Sequence, residues 1–342
     1  MMRTAAFILA LLFIPLLCRP LHPAATDSLI KSPKFDTAYI GDYKNLLSAR
    51  LYFLIQDTRL VIQADEFNQI VYKPNLPFKI GIGGFYKWFG LGLAFGSPLH
   101  KQDEDKQGKT ESFDLRLNLY STSFAIEGYL HRLKGFYASN YEYPDGNNYL
   151  NPSLMVTAIG GYGYYVLNKR KFSLRSVFIQ NEWQKKSAGS FMARFGFNFS
   201  RMESDSGFIT PDWIRDYGSD TMRNFNEGDI FAVSLAPGYG YNLVFLKKCY
   251  LYASAFAGAQ YNYMHGETTL ESESYHHTVA LVVSLRGAIG YVGKKFHAGF
   301  SAILPGFQPL SSGEYNFFWD PPQYRLWLGT RFDLFGKKNK KK

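Results

Sequence analysis

Arg116, Arg175, Arg194, Arg286, Arg325 and Arg331 are the side chains with which this sequence could do chemistry, and each stands in a stretch where polar and apolar residues alternate. A strand has period two, so alternation places these arginines, with Asp114, Glu127, His131 and Asp333, on the faces opposite the aliphatic residues, and Glu182 is expected to face inward with them. Two kinds of chemistry fit. A ring of guanidinium groups selects anions, and mixed charges on one inner surface pair across strands and fill it. A third possibility is catalysis: His131 and Glu127 share a face four residues apart, with Ser139 further along. A nucleophile, a base and an orienting group within reach are what a membrane-embedded lipid-modifying enzyme needs. The chain has no Gly-x-Ser-x-Gly or His-Glu-x-x-His pattern, and a hydrogen-bonded pair explains His131 and Glu127 as simply, so no catalytic residue is assigned. His276 and His277 are adjacent, so on a strand they point to opposite faces, and a solvated acidic loop explains them better than a metal site. Gly81-Ile82-Gly83-Gly84 lies inside an alternating stretch rather than between a strand and a helix, so it is not a phosphate loop. No metal and no cofactor is expected.

The elements that must position these residues are strands. The clearest is Gln323 to Phe335, where Leu326, Leu328, Thr330, Phe332 and Leu334 fall on one face and Arg325, Trp327, Gly329, Arg331 and Asp333 on the other. Its ending, with Gly329, Phe332, Leu334 and Phe335, resembles the signal by which outer-membrane β-barrels are recognised for assembly. A basic tail, 337–342, follows Phe335, which departs from the usual terminal aromatic. Leu115, Leu117 and Leu119 alternate with Asp114, Arg116 and Asn118, and Phe124, Ile126, Gly128 and Leu130 with Glu127, Tyr129 and His131. A hairpin recurs: Gly161-Tyr162-Gly163-Tyr164 runs through Asn168–Lys171 into Phe172-Ser173-Leu174, Gly238–Tyr241 through Lys247-Lys248 into Tyr250, and Gly290-Tyr291 through Lys294-Lys295 into Phe296. Short basic turns flanked by aromatics predict one membrane rim. Long stretches at the other end, 101–111, 202–229 and 264–277, are acidic, and 134–152 is rich in Tyr, Asn, Gly and Pro. Short periplasmic turns and longer extracellular loops are the expected arrangement.

Composition agrees. Charged residues are 19% and aromatics 18% of the 342 residues, and the mean hydropathy is slightly negative, which fits a chain in which only alternate residues face lipid. The bland rival is a soluble all-β sandwich or propeller. The net charge of +10 sits in the turns and the tail, so nucleic acid is not an expected partner. Arg3 followed by the apolar run Ala5–Cys18 reads as a secretory signal cleaved after Ala25, with lipidation at Cys18 as the rival, and cleavage would leave Cys249 without a partner cysteine.

The stretch Tyr72-Lys73-Pro74-Asn75 through Gly81-Ile82-Gly83, then Leu91-Gly92-Leu93, and the Gly-Tyr-Gly-Tyr hairpins resemble the domain-of-unknown-function family 4421. The resemblance covers most of residues 36–335. It implies an outer-membrane protein of a Gram-negative bacterium with a barrel fold, and it carries no activity and no functional residues.

The expectation is therefore an all-β, antiparallel transmembrane β-barrel of 12–14 strands. Residues 1–25 form the signal peptide, 26–47 a periplasmic lead-in, 48–336 the barrel and 337–342 the basic tail. Twelve strands are convincing from Phe78 onward besides 48–56, among them 172–185. Both termini on one side demand an even count, and an extra crossing inside 202–228 tips the count towards fourteen. The expected partners are outer-membrane lipid and lipopolysaccharide and the barrel assembly machinery. The expected role is a porin-like passage for small hydrophilic solutes. The alternatives are a closed structural or surface-interaction barrel, with its role on 134–152 and 202–228, and the lipid-modifying enzyme.

Overall fold

A sheet whose strands alternate aliphatic and polar residues leaves no backbone donor or acceptor at an edge only when it closes on itself. In the computed structural model, which describes residues 35–63, 69–76, 78–97, 104–208, 225–268, 273–304, 310–311, 316–317 and 322–333, the sheet does close. The strands are β1 (Ile40–Asp42), β2 (Leu47–Gln56), β3 (Leu60–Gln63), β4 (Gln69–Lys73), β5 (Lys79–Tyr86), β6 (Phe89–Gly96), β7 (Glu111–Tyr120), β8 (Phe124–Glu142) and β9 (Asn148–Val166). They continue with β10 (Glu182–Gln184), β11 (Ala188–Glu203), β12 (Phe225–Phe245), β13 (Cys249–Thr268), β14 (Glu273–Val292), β15 (Phe296–Leu304), β16 (Leu310–Ser311), β17 (Asn316–Phe317) and β18 (Gln323–Phe332). A 12-strand antiparallel barrel forms from β2, β5 to β9, β11 to β15 and β18. Its seam joins β18 to β2 over ten pairs, from Gln323↔Gln56 to Phe332↔Leu47.

The inside and outside of this barrel are inverted relative to a water-soluble protein. Along β14, Val279, Leu281, Val283, Leu285 and Ile289 are exposed, while Ser284 and Arg286 between them are buried. Leu326 and Leu328 on β18 are exposed and Trp327 and Arg331 are buried. Aliphatic residues face outward on strand after strand, and polar ones face the lumen. Near the short turns the outward residues become aromatic: Trp88, Phe89, Phe124, Tyr165, Phe191, Tyr241, Phe245, Tyr291 and Phe296. Basic residues stand in the same turns, and Lys295 lies 5.4 Å from the Phe296 ring centroid.

Several glycines on the inner face make room for rings. A Cβ at Gly81 would overlap the ring of Tyr52 on the neighbouring β2, and one at Gly90 would overlap Phe85. The glycine-rich stretch of β5 therefore serves packing, as its place inside an alternating strand requires.

The strand number, twelve, lies within the expected 12–14, and four readings within that frame are corrected. Residues 172–185 do not cross: they hold a one-turn helix, Arg175–Phe178, and the short β10. As a strand they would turn Ser176, Gln180, Glu182 and Gln184 outward on the phase of Phe172 and Leu174, which leaves Phe178 as the one apolar residue beyond Leu174 on that face and also overturns the inward strand position expected for Glu182. No crossing separates β11 from β12, which pair directly as far as Glu203↔Glu227; residues 209–224 lie outside the described residues. The stretch 134–152 is mostly strand, since β8 extends to Glu142 and β9 starts at Asn148, and its tyrosines are good strand formers. His276 and His277 lie on β14, paired with Met264 and Tyr263, not in a loop. The expected signal peptide and basic tail, with Leu334 and Phe335, lie outside the described residues.

Candidate functional site in the lumen

Two elements enter the lumen ends. At the end where β2 begins and β18 finishes, residues 167–187 leave the barrel wall and fold inward between β9 and β11. Phe172, Leu174, Val177 and Ile179 join a core with the inward residues Phe85, Tyr120, Tyr164, Tyr252 and Phe256. The lead-in strand β1 pairs with β10 as Ile40↔Gln184 to Asp42↔Glu182 and covers this segment. At the opposite end the β3–β4 hairpin docks on β8 through Tyr72↔Ala138. Its Leu60, Ile62, Ile70 and Tyr72 are buried against the inward-facing Leu133, Val156, Met202, Ile230 and Met264.

The inserted segment is held by polar bonds to the wall. Arg50 Nη1 donates to the Phe178 carbonyl at 2.8 Å. Arg331 donates to the Gln180 and Gly293 carbonyls. Trp327 Nε1 donates to Gln180 Oε1 at 2.6 Å, and Tyr250 Oη donates to the Val177 carbonyl at 2.8 Å. Within the segment, Arg175 pairs with Glu182 at 3.0 Å and reaches the Lys87 carbonyl at 2.6 Å. Ser173 Oγ donates to the same carboxylate at 2.5 Å. Burial raises the Glu182 carboxyl above its usual range, with Arg175 and the Ser173 hydroxyl opposing. Gln180 sits at φ 55°, the left-handed region, where the segment turns from the helix towards β10.

Above this segment lies a polar chamber of about 50 Å³, lined among others by Arg50, Arg116, Glu127, Arg194, Arg286 and Arg325. Arg286 Nη2 bonds both Glu127 oxygens at 2.9 Å, and the Tyr120 hydroxyl donates to the same carboxylate. Asp114, fully buried, gathers three cationic or ionisable neighbours: Arg116 at 2.9 Å, His131 Nδ1 at 2.7 Å and Lys79 at 3.6 Å. Arg194 and Arg325 meet aromatic faces instead, Tyr162 at 4.8 Å and Tyr52 at 5.3 Å.

The structure thus places Asp114, Arg116, Glu127, His131, Arg194, Arg286, Arg325 and Arg331 on the inner face of barrel strands. Arg175 is buried in the inserted segment, not on a strand, and Asp333 is exposed just past β18. Gly329 faces inward beside His297, whose ring a Cβ there would overlap, and Phe332 is exposed on the outer face. The three residues of the catalytic possibility have separate partners: His131 binds Asp114, Glu127 binds Arg286, and Ser139 Oγ donates to the Val71 carbonyl at 3.0 Å. His277 Nδ1 lies 2.7 Å from the Tyr261 hydroxyl. Arg50, Lys79 and His297 are inner-face residues that the sequence reading left out. Alternation with Leu51 and Phe53, or with Ile80 and Ile82, marks the first two. Nothing local marks Gln180, whose role comes from a loop folding inward.

A closed antiparallel barrel with an aliphatic exterior and an arginine-rich, internally filled lumen is the class these features define. The chain belongs to the family described as Domain of unknown function (DUF4421), whose model matches residues 34–332. No curated protein matches it. Among solved structures it is similar to in-vitro folded OmpT, an outer membrane protein of Vibrio cholerae, at 9% identity and a TM-score of 0.32, covering 90% of this chain and 100% of that one. It is also similar to the Ralstonia pickettii toluene transporter TbuX, at 8% identity and a TM-score of 0.29, covering 84% and 89%. A third is Ail, the attachment invasion locus protein of Yersinia pestis, at 12% identity and a TM-score of 0.24, covering 61% and 97%.

Proposed function

We propose that this protein is an outer-membrane β-barrel held closed at rest, with a structural or surface-interaction role and not that of an open porin. The observation that carries the reading is the inserted segment 172–187, fixed to three wall strands by Arg50, Trp327, Arg331 and Tyr250. Support for the membrane comes from the outward aliphatic face of β14 and β18 and the aromatic ring beside the short basic turns. In this reading outer-membrane lipid covers that belt, and the barrel assembly machinery reads the strand carrying Gly329 and Phe332. Export through a cleaved signal belongs to the same proposal. Passage of small hydrophilic solutes would require the segment to leave the lumen.

The test is single-channel conductance of the refolded protein in planar bilayers, with a heat-modifiability gel shift as the check on folding. The expected result is a gel shift without steady current, and steady current once residues 172–185 are replaced by a short turn and the β3–β4 hairpin at the other end is removed as well. Steady current from the intact chain would overturn the closed reading and favour the passage.

A further inference from the structure

The lumen chamber carries more positive charge than its carboxylates neutralise. Arginine does not lose its proton in a protein. Five guanidinium groups line the chamber, those of Arg50, Arg116, Arg194, Arg286 and Arg325, and Glu127 is the carboxylate that lines it among the described residues. Asp114, just outside, is engaged by Arg116, His131 and Lys79. Arg286 is matched by Glu127, and Arg50 is bonded to a backbone carbonyl. Neither Arg194 nor Arg325 makes an ion pair or donates a hydrogen bond among the described residues, although Asp114 and Glu127 act on Arg325 from a distance. Arg194 is 4% exposed, and its Nε has no partner. An aromatic face offsets part of the cost of burying a cation, but a buried charge without a counter-charge is strongly unfavourable.

We infer that the chamber is an anion site: a compact oxyanion of the phosphate or sulfate class binds between Arg194 and Arg325. Planar guanidinium forks match two oxygens of one oxyanion, which a halide cannot offer. The chamber is small, about 50 Å³, and inorganic oxyanions are the most compact ligands that offer a guanidinium fork two oxygens. Glu127, on the same wall, sets the limit on charge, since it opposes any anion placed near Arg286. The inference goes beyond the closed-barrel reading and does not depend on it, because binding and passage are measured separately.

The experiment is isothermal titration calorimetry of the refolded chain in zwitterionic detergent at fixed ionic strength, with sodium phosphate, sodium sulfate and sodium chloride as titrants. Saturable binding of one phosphate or sulfate per chain is expected, with chloride at least tenfold weaker. The double variant Arg194→Gln with Arg325→Gln should bind phosphate at least tenfold more weakly, and Glu127→Gln should bind it more tightly. Equal responses to phosphate and chloride, or undiminished affinity in a folded double variant, would overturn the site. If the gel shift shows that the double variant does not fold, Glu127→Gln decides: affinity unchanged from wild type overturns the inference.

Discussion

Single residues in the lumen are tied to partners far away in sequence, so their substitution has defined costs. Trp327→Phe removes the donor to Gln180 Oε1 and leaves a buried amide oxygen unmet, for which about 1–3 kcal/mol is typical. A lowered urea midpoint of the refolded barrel, with the gel shift retained, is the expected outcome. Gly81 makes a second case. A side chain there overlaps the ring of Tyr52, so Gly81→Val should cost about 1–3 kcal/mol through overpacking. Adding Tyr52→Ala to the same chain should recover much of that loss, and a double-mutant cycle on urea midpoints reads the coupling. If the two losses simply add, the ring and the glycine do not share the space.

At the scale of the element, the inserted segment and the β3–β4 hairpin divide what the sequence discloses from what it hides. The barrel strands are legible because lipid and lumen impose period two: Leu115, Leu117 and Leu119 against Asp114 and Arg116 leave no other reading. The inner-face positions of Arg116, Arg194, Arg286 and Arg325 follow from the same rule. Residues 172–185 mislead because Phe172, Ser173 and Leu174 begin like every other strand after a basic turn, and only the loss of alternation at Val177-Phe178-Ile179 and Gln180-Asn181-Glu182 betrays them. Whether such a run exits into water or folds into the lumen depends on Arg50, Arg331 and Trp327, which lie over 100 positions away in sequence. The hairpin at the other end carries an acid-sensitive contact. Arg59 bonds Asp57 where the chain enters β3 and holds its carboxyl below the usual range. A carboxyl with a depressed folded pKa contributes stability above its unfolded pKa, and that contribution disappears as pH falls through the folded value. Both side chains are substantially exposed, so the effect is small. Acidification below the usual aspartate range should lower the amide protection factors of 60–63 and 69–73, after allowance for the slower intrinsic exchange in acid, and Asp57→Asn should remove that pH dependence.

The whole molecule is defined by its inverted exterior. Leu281 is 67% exposed and Leu328 is 65% exposed, yet a charge there should not be neutral as it would be on a water-soluble surface. In a bilayer, arginine at mid-depth of a barrel wall costs about 2–4 kcal/mol. Leu281→Arg should therefore lower stability in lipid vesicles by that order, measured by reversible urea titration, while Lys294→Gln in a short turn changes little. A negligible effect of Leu281→Arg would return the chain to the soluble β class.

The seam between β2 and β18 is also a clasp. Its strands carry Arg50, Trp327 and Arg331, the three groups that grip residues 178 to 180. The gripped segment lies mid-chain and the gripping strands stand at the two ends of the barrel sequence. The segment has no complete set of partners until these two strands stand side by side, so the bonds that seat the filling also reward closure of the wall, as a key left in its lock holds the door shut.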